Sequence, residues 1–284
     1  ATTGDSLEPR LHRLQQRLRV AYVEAQPHGA RHLVDVLPAR PRGPHESFLD
    51  LVLVEMDARG DGYHRERLAR RSARRRCVEG LDTLHGGGLE EGSACLIVGA
   101  TGTGKTSVAS LYAYAAAERG ERVAIFAFDE RPETFFKRSE GLGMEMRPLC
   151  EDGRITIKPI STAELSPGEF SQIVREAVEQ GDAKIVMIDS LTGYFHAMPQ
   201  EDALLSQMHD LLTYLSQKGI LSLLVVSQHG MVGEAIQAPI DISYMADTVL
   251  LLRHFETLGS VRKAISAIKK RQGAHETTIR ELRF

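Results

Sequence analysis

Cysteine is scarce in this chain of 284 residues: there are three, Cys77, Cys95 and Cys150. They are odd in number and far apart, which argues against a disulfide framework and shows no zinc-ligand spacing. A reducing cytoplasm is therefore the default compartment. Long apolar runs are missing too. None approaches the roughly 20 residues needed to cross a bilayer, so no membrane contact is expected. An initiator methionine is lacking, and the sequence stops at Phe284 inside what reads as a strand. The chain thus reads as a segment excised from a longer protein, and its start is not a signal peptide.

Net charge is small, −3, but its distribution is uneven. The part before Cys77 is rich in arginine and ends in Arg65, Arg67, Arg70, Arg71, Arg74, Arg75 and Arg76, whereas the remainder is acidic. Such asymmetry can mean a nucleic-acid or subunit contact, but a solvated linker helix is the favoured reading. A hydrophobic content of 42% and a charged content of 26% are those of a soluble globular protein. The length allows one large core with a second small unit.

From Cys77 onward, short apolar runs alternate with longer amphipathic stretches. Ala94–Val98, Val123–Phe128, Ile185–Ile188, Leu221–Val226 and Thr248–Leu252 read as buried strands. Lys105–Glu118, Glu133–Leu142, Pro167–Gln180 and Ala203–Gln217 read as helices, two of them stopped by Gly120 and Gly219. This alternation predicts an α/β fold: a mostly parallel twisted sheet flanked by helices through right-handed crossovers. Arg262–Ile268 and Thr277–Leu282, turning around Gln272–Gly273, predict a C-terminal antiparallel β extension at the sheet's far edge.

Residues 1–76 are less regular. Leu11–Leu18 reads as a helix and Leu49–Val54 as a strand, interrupted by Pro38, Pro41 and Pro44. An ungapped shift that sets Asp50 on Asp247 also sets Val52 on Val249, Leu53 on Leu250, Gly62 on Gly259, Arg65 on Arg262 and Arg74 on Arg271. That is the trace of a decayed internal repeat. The expected division is an Arg-rich segment over 1–76 and a catalytic domain over 77–284.

Gly99-Ala100-Thr101-Gly102-Thr103-Gly104-Lys105-Thr106 matches G-x-x-x-x-G-K-[ST], follows a predicted strand and opens a predicted helix. Glycines let backbone N–H groups wrap phosphates, and the helix N-terminus, here running on through Ser107, adds partial positive charge. Lys105 then neutralises the β and γ oxygens of a nucleotide, and the Thr106 hydroxyl reaches Mg²⁺. Ile185–Ile188 ends in Asp189, a carboxylate that can hold the water shell of the metal. The competing role for such an aspartate is to cap the next helix. Strand Val123–Phe128 ends in Asp129-Glu130, a pair able to orient or deprotonate the attacking water. Ser227-Gln228 follows strand Leu221–Val226 on the same edge, and Gln228 can sense the γ-phosphate. Lys269 and Arg271 alternate on a strand and share a face. Together with His275 they read, by themselves, as a solvated basic hairpin.

Taken together, these residues resemble the KaiC branch of the RecA-like P-loop ATPases, from about Glu79 to Phe284. Gly80-Leu-Asp82, Gly86-Gly-Gly88-Leu89 and Glu91-Gly92-Ser93 look like that family's opening segment. Asp129-Glu130 is similar to its paired catalytic glutamates, with aspartate in first place. Lys269-x-Arg271-x-x-x-His275 matches its late K-x-R-x-x-x-H motif. The resemblance implies a RecA-like core, ATP and Mg²⁺ as cofactors, and a hexameric homo-oligomeric ring. ATP would lie between subunits, with Lys269, Arg271 and His275 reaching the neighbour's nucleotide. The tail is most similar to the second domain of the family's clock proteins. Ser243 matches the phosphorylated serine there, and Tyr244 replaces the threonine.

The resemblance thus implies a ring-forming regulatory ATPase with Lys105, Asp129, Glu130 and Asp189 as its catalytic set and with regulatory protein partners. One alternative is a Ser/Thr autokinase with Ser243 as acceptor, and another is a RecA-like nucleic-acid ATPase. Against the last stands the loop His229–Ser243, which contains Glu234 and Asp241 and no Lys or Arg. A binding module with an inert phosphate loop is the remaining alternative.

Overall fold

The computed structural model describes residues 52–55, 75–76 and 81–284, apart from 129, 162–165, 197–200, 229–242 and 258. The stretch Leu11–Leu18, most of the arginine-rich segment, Cys77 and Asp129 lie outside the described residues. In chain order the elements are β1 (Val52–Glu55), β2 (Arg75–Arg76), α1 (Leu81–Leu84), β3 (Leu89–Glu90), β4 (Ala94–Ala100), α2 (Lys105–Glu118), β5 (Arg122–Phe128) and α3 (Pro132–Gly141). They continue with α4 (Met146–Glu151), β6 (Ile155–Ile160), α5 (Pro167–Glu179), β7 (Ala183–Asp189), α6 (Leu191–His196), α7 (Glu201–Gln217), β8 (Leu221–Gln228), β9 (Thr248–Thr257), β10 (Ser260–Lys270) and β11 (Arg280–Arg283).

One sheet runs β1-β11-β10-β9-β4-β8-β7-β5-β6. From β9 to β6 every pairing is parallel, while β10, β11 and β1 add on antiparallel. The α/β class with its antiparallel C-terminal extension is the one the sequence predicts. The central parallel strands β4, β5, β7 and β8 are largely apolar because helices cover both faces. Successive side chains alternate between two cores. Cys95, Ile97, Val123, Ile125, Ile185 and Met187 join Val108, Leu111 and Tyr112 of α2 on one face. Leu96, Val98, Phe126, Phe128, Val186 and Ile188 meet Phe170 of α5 and Leu204, Met208, Leu211 and Leu215 of α7 on the other. Helix α5 starts with a capping box: Ser166 Oγ accepts from Glu169 N, and the Glu169 carboxylate accepts from Ser166 N.

Three features depart from the sequence reading. Strand β6 is an unpredicted strand that tolerates Pro159 because, among the described residues, one side of it has no partner strand. Strand β9 continues past Leu252 to Thr257, and an additional hairpin at Gly259 joins it to β10, ahead of the expected turn around Gln272–Gly273 between β10 and β11. The second half of β9, Arg253–Thr257, is polar because it pairs with β10 alone beyond the end of β4. Finally, the strand expected at Leu49–Val54 forms as β1 and pairs with β11, so it extends the same sheet that contains β4.

Candidate functional site

Parallel strands end on a common edge, and that edge carries most of the predicted site. In register, Ala100 of β4 lies beside Gln228 of β8, Asp189 of β7 beside Val225 of β8, and Ala127 of β5 beside Asp189. The phosphate-loop residues therefore stand with Asp189, Gln228 and Glu130 outside the carboxyl ends of the strands, where open α/β sheets bind ligands.

The loop between β4 and α2 is shaped by two glycines for different reasons. Gly104 is the N-cap of α2 at φ 102°, in the left-handed region, and an added Cβ would lie 2.5 Å from the Phe284 ring. Gly99 has no such backbone requirement. A Cβ there would lie 2.3 Å from the carbonyl oxygen of Leu252 on β9, so this first glycine of the motif is demanded by the neighbouring strand. No side chain caps α2, which leaves the N–H groups of Lys105, Thr106 and Ser107 directed at the loop. Thr103 Oγ1 donates to Ala100 O at 2.8 Å, and the Lys105 ammonium donates to the same oxygen at 2.8 Å. Lys105 is 7% exposed, and burial lowers its pKa, with Asp189 opposing that shift.

Asp189 does not cap the following helix. Ser190 does that, its Oγ accepting from Gly193 N at 3.2 Å. Asp189 instead accepts from the Thr106 hydroxyl, and burial raises its pKa while Thr106 and Arg138 oppose the rise. Thr106 and Asp189 are thus paired beside Lys105, the arrangement of oxygen ligands that suits Mg²⁺. The buried Gln228 amide nitrogen has no hydrogen-bond partner among the described residues, leaving a donor on the same edge. Glu130 follows β5, and both its oxygens are held by the Arg138 guanidinium of α3, Nη1 to Oε1 and Nη2 to Oε2, the latter at 2.9 Å.

Lys269, Arg271 and His275 are not brought to this loop. Lys269 pairs with Val249, which lies level with Leu96 near the start of β4. Lys269 donates to Ser243 O at 2.8 Å, and Arg271 donates to Tyr244 O at 3.0 Å and pairs with Asp247 at 3.3 Å. Asp247 also accepts from Ala94 N at 2.9 Å, the first residue of β4. The chain from β10 onward is tied to the opening segment as well. Lys270 donates to His85 O, and Glu276 N donates to Leu84 O at 3.1 Å. His85 is fully buried, and burial together with the charges of Lys270 and His275 drives its pKa down to about 3. The predicted residues therefore form two groups at opposite ends of β4.

Four residues beside the loop escaped the sequence reading. Arg138 is one. His254 of β9 lies 3.3 Å from Thr101 O, Phe284 packs over Gly104, and the Lys263 ammonium sits 5.2 Å from the Phe284 ring.

Comparison with known proteins agrees with this geometry. The family model described as ATPase: KaiC matches residues 75–283. The chain belongs to the KaiC ATPase family. It is 27% identical over 206 residues to the circadian clock protein KaiC3 of Synechocystis, covering 72% of this chain and 40% of that one. It is 26% identical over 218 residues to the circadian clock oscillator protein KaiC of Picosynechococcus, and 28% identical to that of Thermosynechococcus vestitus. Each of these two alignments covers 76% of this chain and 42% of the relative. The chain spans about two fifths of the length of these relatives. Among the described residues, no helix is long and apolar enough to cross a membrane.

Proposed function

We propose that residues 77–284 form a Mg²⁺-dependent ATPase that acts as one subunit of a ring, with residues 1–76 as its arginine-rich extension, contributing the edge strand β1. The observation that carries the reading is the uncapped start of α2 beside the Lys105, Thr106 and Asp189 side chains. Backbone amides 105–107 and the Lys105 ammonium would grip the β and γ phosphates. Lys105 would leave Ala100 O for the phosphate, a stronger charge-assisted partner. Thr106 and Asp189 would hold Mg²⁺, which neutralises charge on the phosphate oxygens. Glu130, with Asp129 beside it in sequence, would orient water, and Gln228 would donate to the γ-phosphate. The Phe284 ring, with Lys263 and His254, offers an apolar and cationic rim for the base.

The cations at the far end of β4 support a shared site. Within one chain, at roughly 3.3 Å per residue, β4 separates the loop by about 13 Å from Lys269, level with Leu96, and by about 20 Å from Arg271, tied through Asp247 to Ala94, so Lys269, Arg271 and His275 would act on a neighbour's nucleotide. Steady-state phosphate release tests the enzyme: wild type should turn over ATP with Mg²⁺, and Lys105→Ala should not. A hexamer that forms with ATP, read by size-exclusion with light scattering, tests the ring. The unpaired Cys95 and Cys150 suit a cytoplasmic setting.

One observation favours autokinase activity as a second reading. Lys269 and Arg271 hold the carbonyls of Ser243 and Tyr244, so a nucleotide reached by these cations would also face Ser243. Mass spectrometry after incubation with Mg-ATP tests it, and an unmodified 241–248 segment refutes it. Regulatory protein partners are proposed on the likeness to clock proteins. Lack of a shift with single-stranded DNA at low salt would close the nucleic-acid alternative.

A further inference from the structure

The Arg138–Glu130 pair lies on the phosphate edge, yet the nucleotide-binding reading leaves Arg138 without a task. Glu130 follows β5 directly, and Arg138 reaches back to it from the last turn of α3 with two parallel N–H···O bonds. This fork-to-fork geometry is the strongest a guanidinium makes with a carboxylate, and a lysine cannot reproduce it. The pair is partly shielded, with side-chain exposures of 32% for Arg138 and 21% for Glu130. The Phe135 ring lies 5.1 Å from the guanidinium carbon and backs it on one side. Both charges act on Asp189, Arg138 favouring its ionised form and Glu130 opposing it. Arg138 therefore holds the carboxylate that follows β5 and acts on the one that ends β7, on the strand edge that also carries Lys105.

We propose that Arg138 is the residue by which this site distinguishes a nucleoside triphosphate from a diphosphate, through exchange of its guanidinium between Glu130 and the γ-phosphate. This inference rests on the nucleotide-binding reading above and deepens it. While the guanidinium holds Glu130, both carboxylate oxygens are engaged by Arg138. A γ-phosphate offers the same planar donor two or three oxygens of higher negative charge, so it competes with Glu130 for Arg138. A diphosphate places no oxygens at that position and leaves the pair intact. Triphosphate binding is thus coupled to release of Glu130, and the carboxylate becomes available to water only when there is a γ-phosphate to attack. Arg138 is a positioning residue with respect to the water and a specificity-determining one with respect to the nucleotide.

The reciprocal nature of such coupling supplies the test. Equilibrium affinities for ADP and for a non-hydrolysable ATP analogue are measured, both with Mg²⁺, on the full chain as wild type, Glu130→Gln, Arg138→Gln and Arg138→Lys. In Glu130→Gln the neutral amide no longer competes for the guanidinium. The ratio of analogue to ADP affinity should therefore rise, by about five-fold or more, the lower end of ordinary coupling factors. In Arg138→Gln the ratio should fall below that of wild type by a similar factor, and Arg138→Lys should restore part of it. A purely structural ion pair would lower thermal stability in these variants and leave the ratio untouched. Nucleotides that bind well with a ratio unmoved by Glu130→Gln overturn the exchange, and this variant alone decides should Arg138→Gln fail to fold. Loss of binding of both nucleotides to wild type would overturn the underlying reading instead.

Discussion

Gly99→Ala separates two explanations for the first glycine of the phosphate loop. If Gly99 served only to let backbone approach a phosphate, alanine would weaken nucleotide binding and leave stability intact or improved. Its φ is not left-handed, so alanine would restrict the unfolded chain and stabilise by about 0.4–1 kcal/mol. The surroundings oppose this. The new methyl would lie 2.3 Å from Leu252 O and 3.0 Å from Thr103 Oγ1. The closer of these is backbone in the parallel β4–β9 pair and cannot swing away. Forcing a methyl into such packing costs about 1–3 kcal/mol, so the clash wins by roughly 1–2 kcal/mol. For a domain of this size that lowers Tm by about 3–6 °C. Differential scanning calorimetry without nucleotide is the assay. A Tm equal to or above that of wild type would refute the claim that β9, rather than phosphate, requires glycine at this position.

Three further outcomes follow from the site. Lys105→Ala should abolish phosphate release with no loss of Tm, because a desolvated ammonium held by one carbonyl contributes little stability. Arg271→Ala should slow turnover by about 10³-fold or more if the cation acts in trans. Circular dichroism should show the fold intact, since the half-exposed pair with Asp247 is worth at most about 1 kcal/mol; full activity in a monomeric preparation would count against the assignment. Asp189→Asn should be inactive yet more heat-stable than wild type at neutral pH without Mg²⁺. Burial raises the folded-state pKa of Asp189 above its unfolded value, so wild-type stability falls as pH rises through that interval. The gap between the two proteins should therefore narrow as pH is lowered toward the ordinary carboxylate range, and melting curves across pH would check it.

The parallel core was legible in the sequence because burial on both faces leaves unbroken apolar runs such as Ile185–Ile188. The phosphate-loop motif was legible because it is one contiguous stretch, Gly99–Thr106. Strand β6 was not, since an edge strand carries Thr156, Lys158 and Pro159 without penalty. The outer half of β9 was hidden for a related reason: Arg253–Thr257 pairs with β10 alone and needs no apolar face. Arg138 could not be found from periodicity, because its pairing with Glu130 depends on α3 folding back onto the end of β5. Phe284, Lys263 and His254 meet the loop only through the pairing of β9, β10 and β11. The tie of Lys269 and Arg271 to the Ser243–Asp247 segment was likewise invisible, and it changes how these cations read: each has a partner within its own chain.

That last point bears on how a ring would form. Lys269 and Arg271 hold neutral carbonyls and one carboxylate at the start of β4, and the phosphate loop stands at its end. No rotation of side chains closes gaps of about 13 Å for Lys269 and about 20 Å for Arg271. A phosphate able to draw these cations from their present partners must therefore belong to another copy, and the two ends of β4 would be halves of one site split between neighbours. Binding energy from the triphosphate would then be shared between gripping the nucleotide and joining subunits. Assembly should accordingly rise with ATP concentration and weaken in Arg271→Ala even where Lys105 still binds the nucleotide.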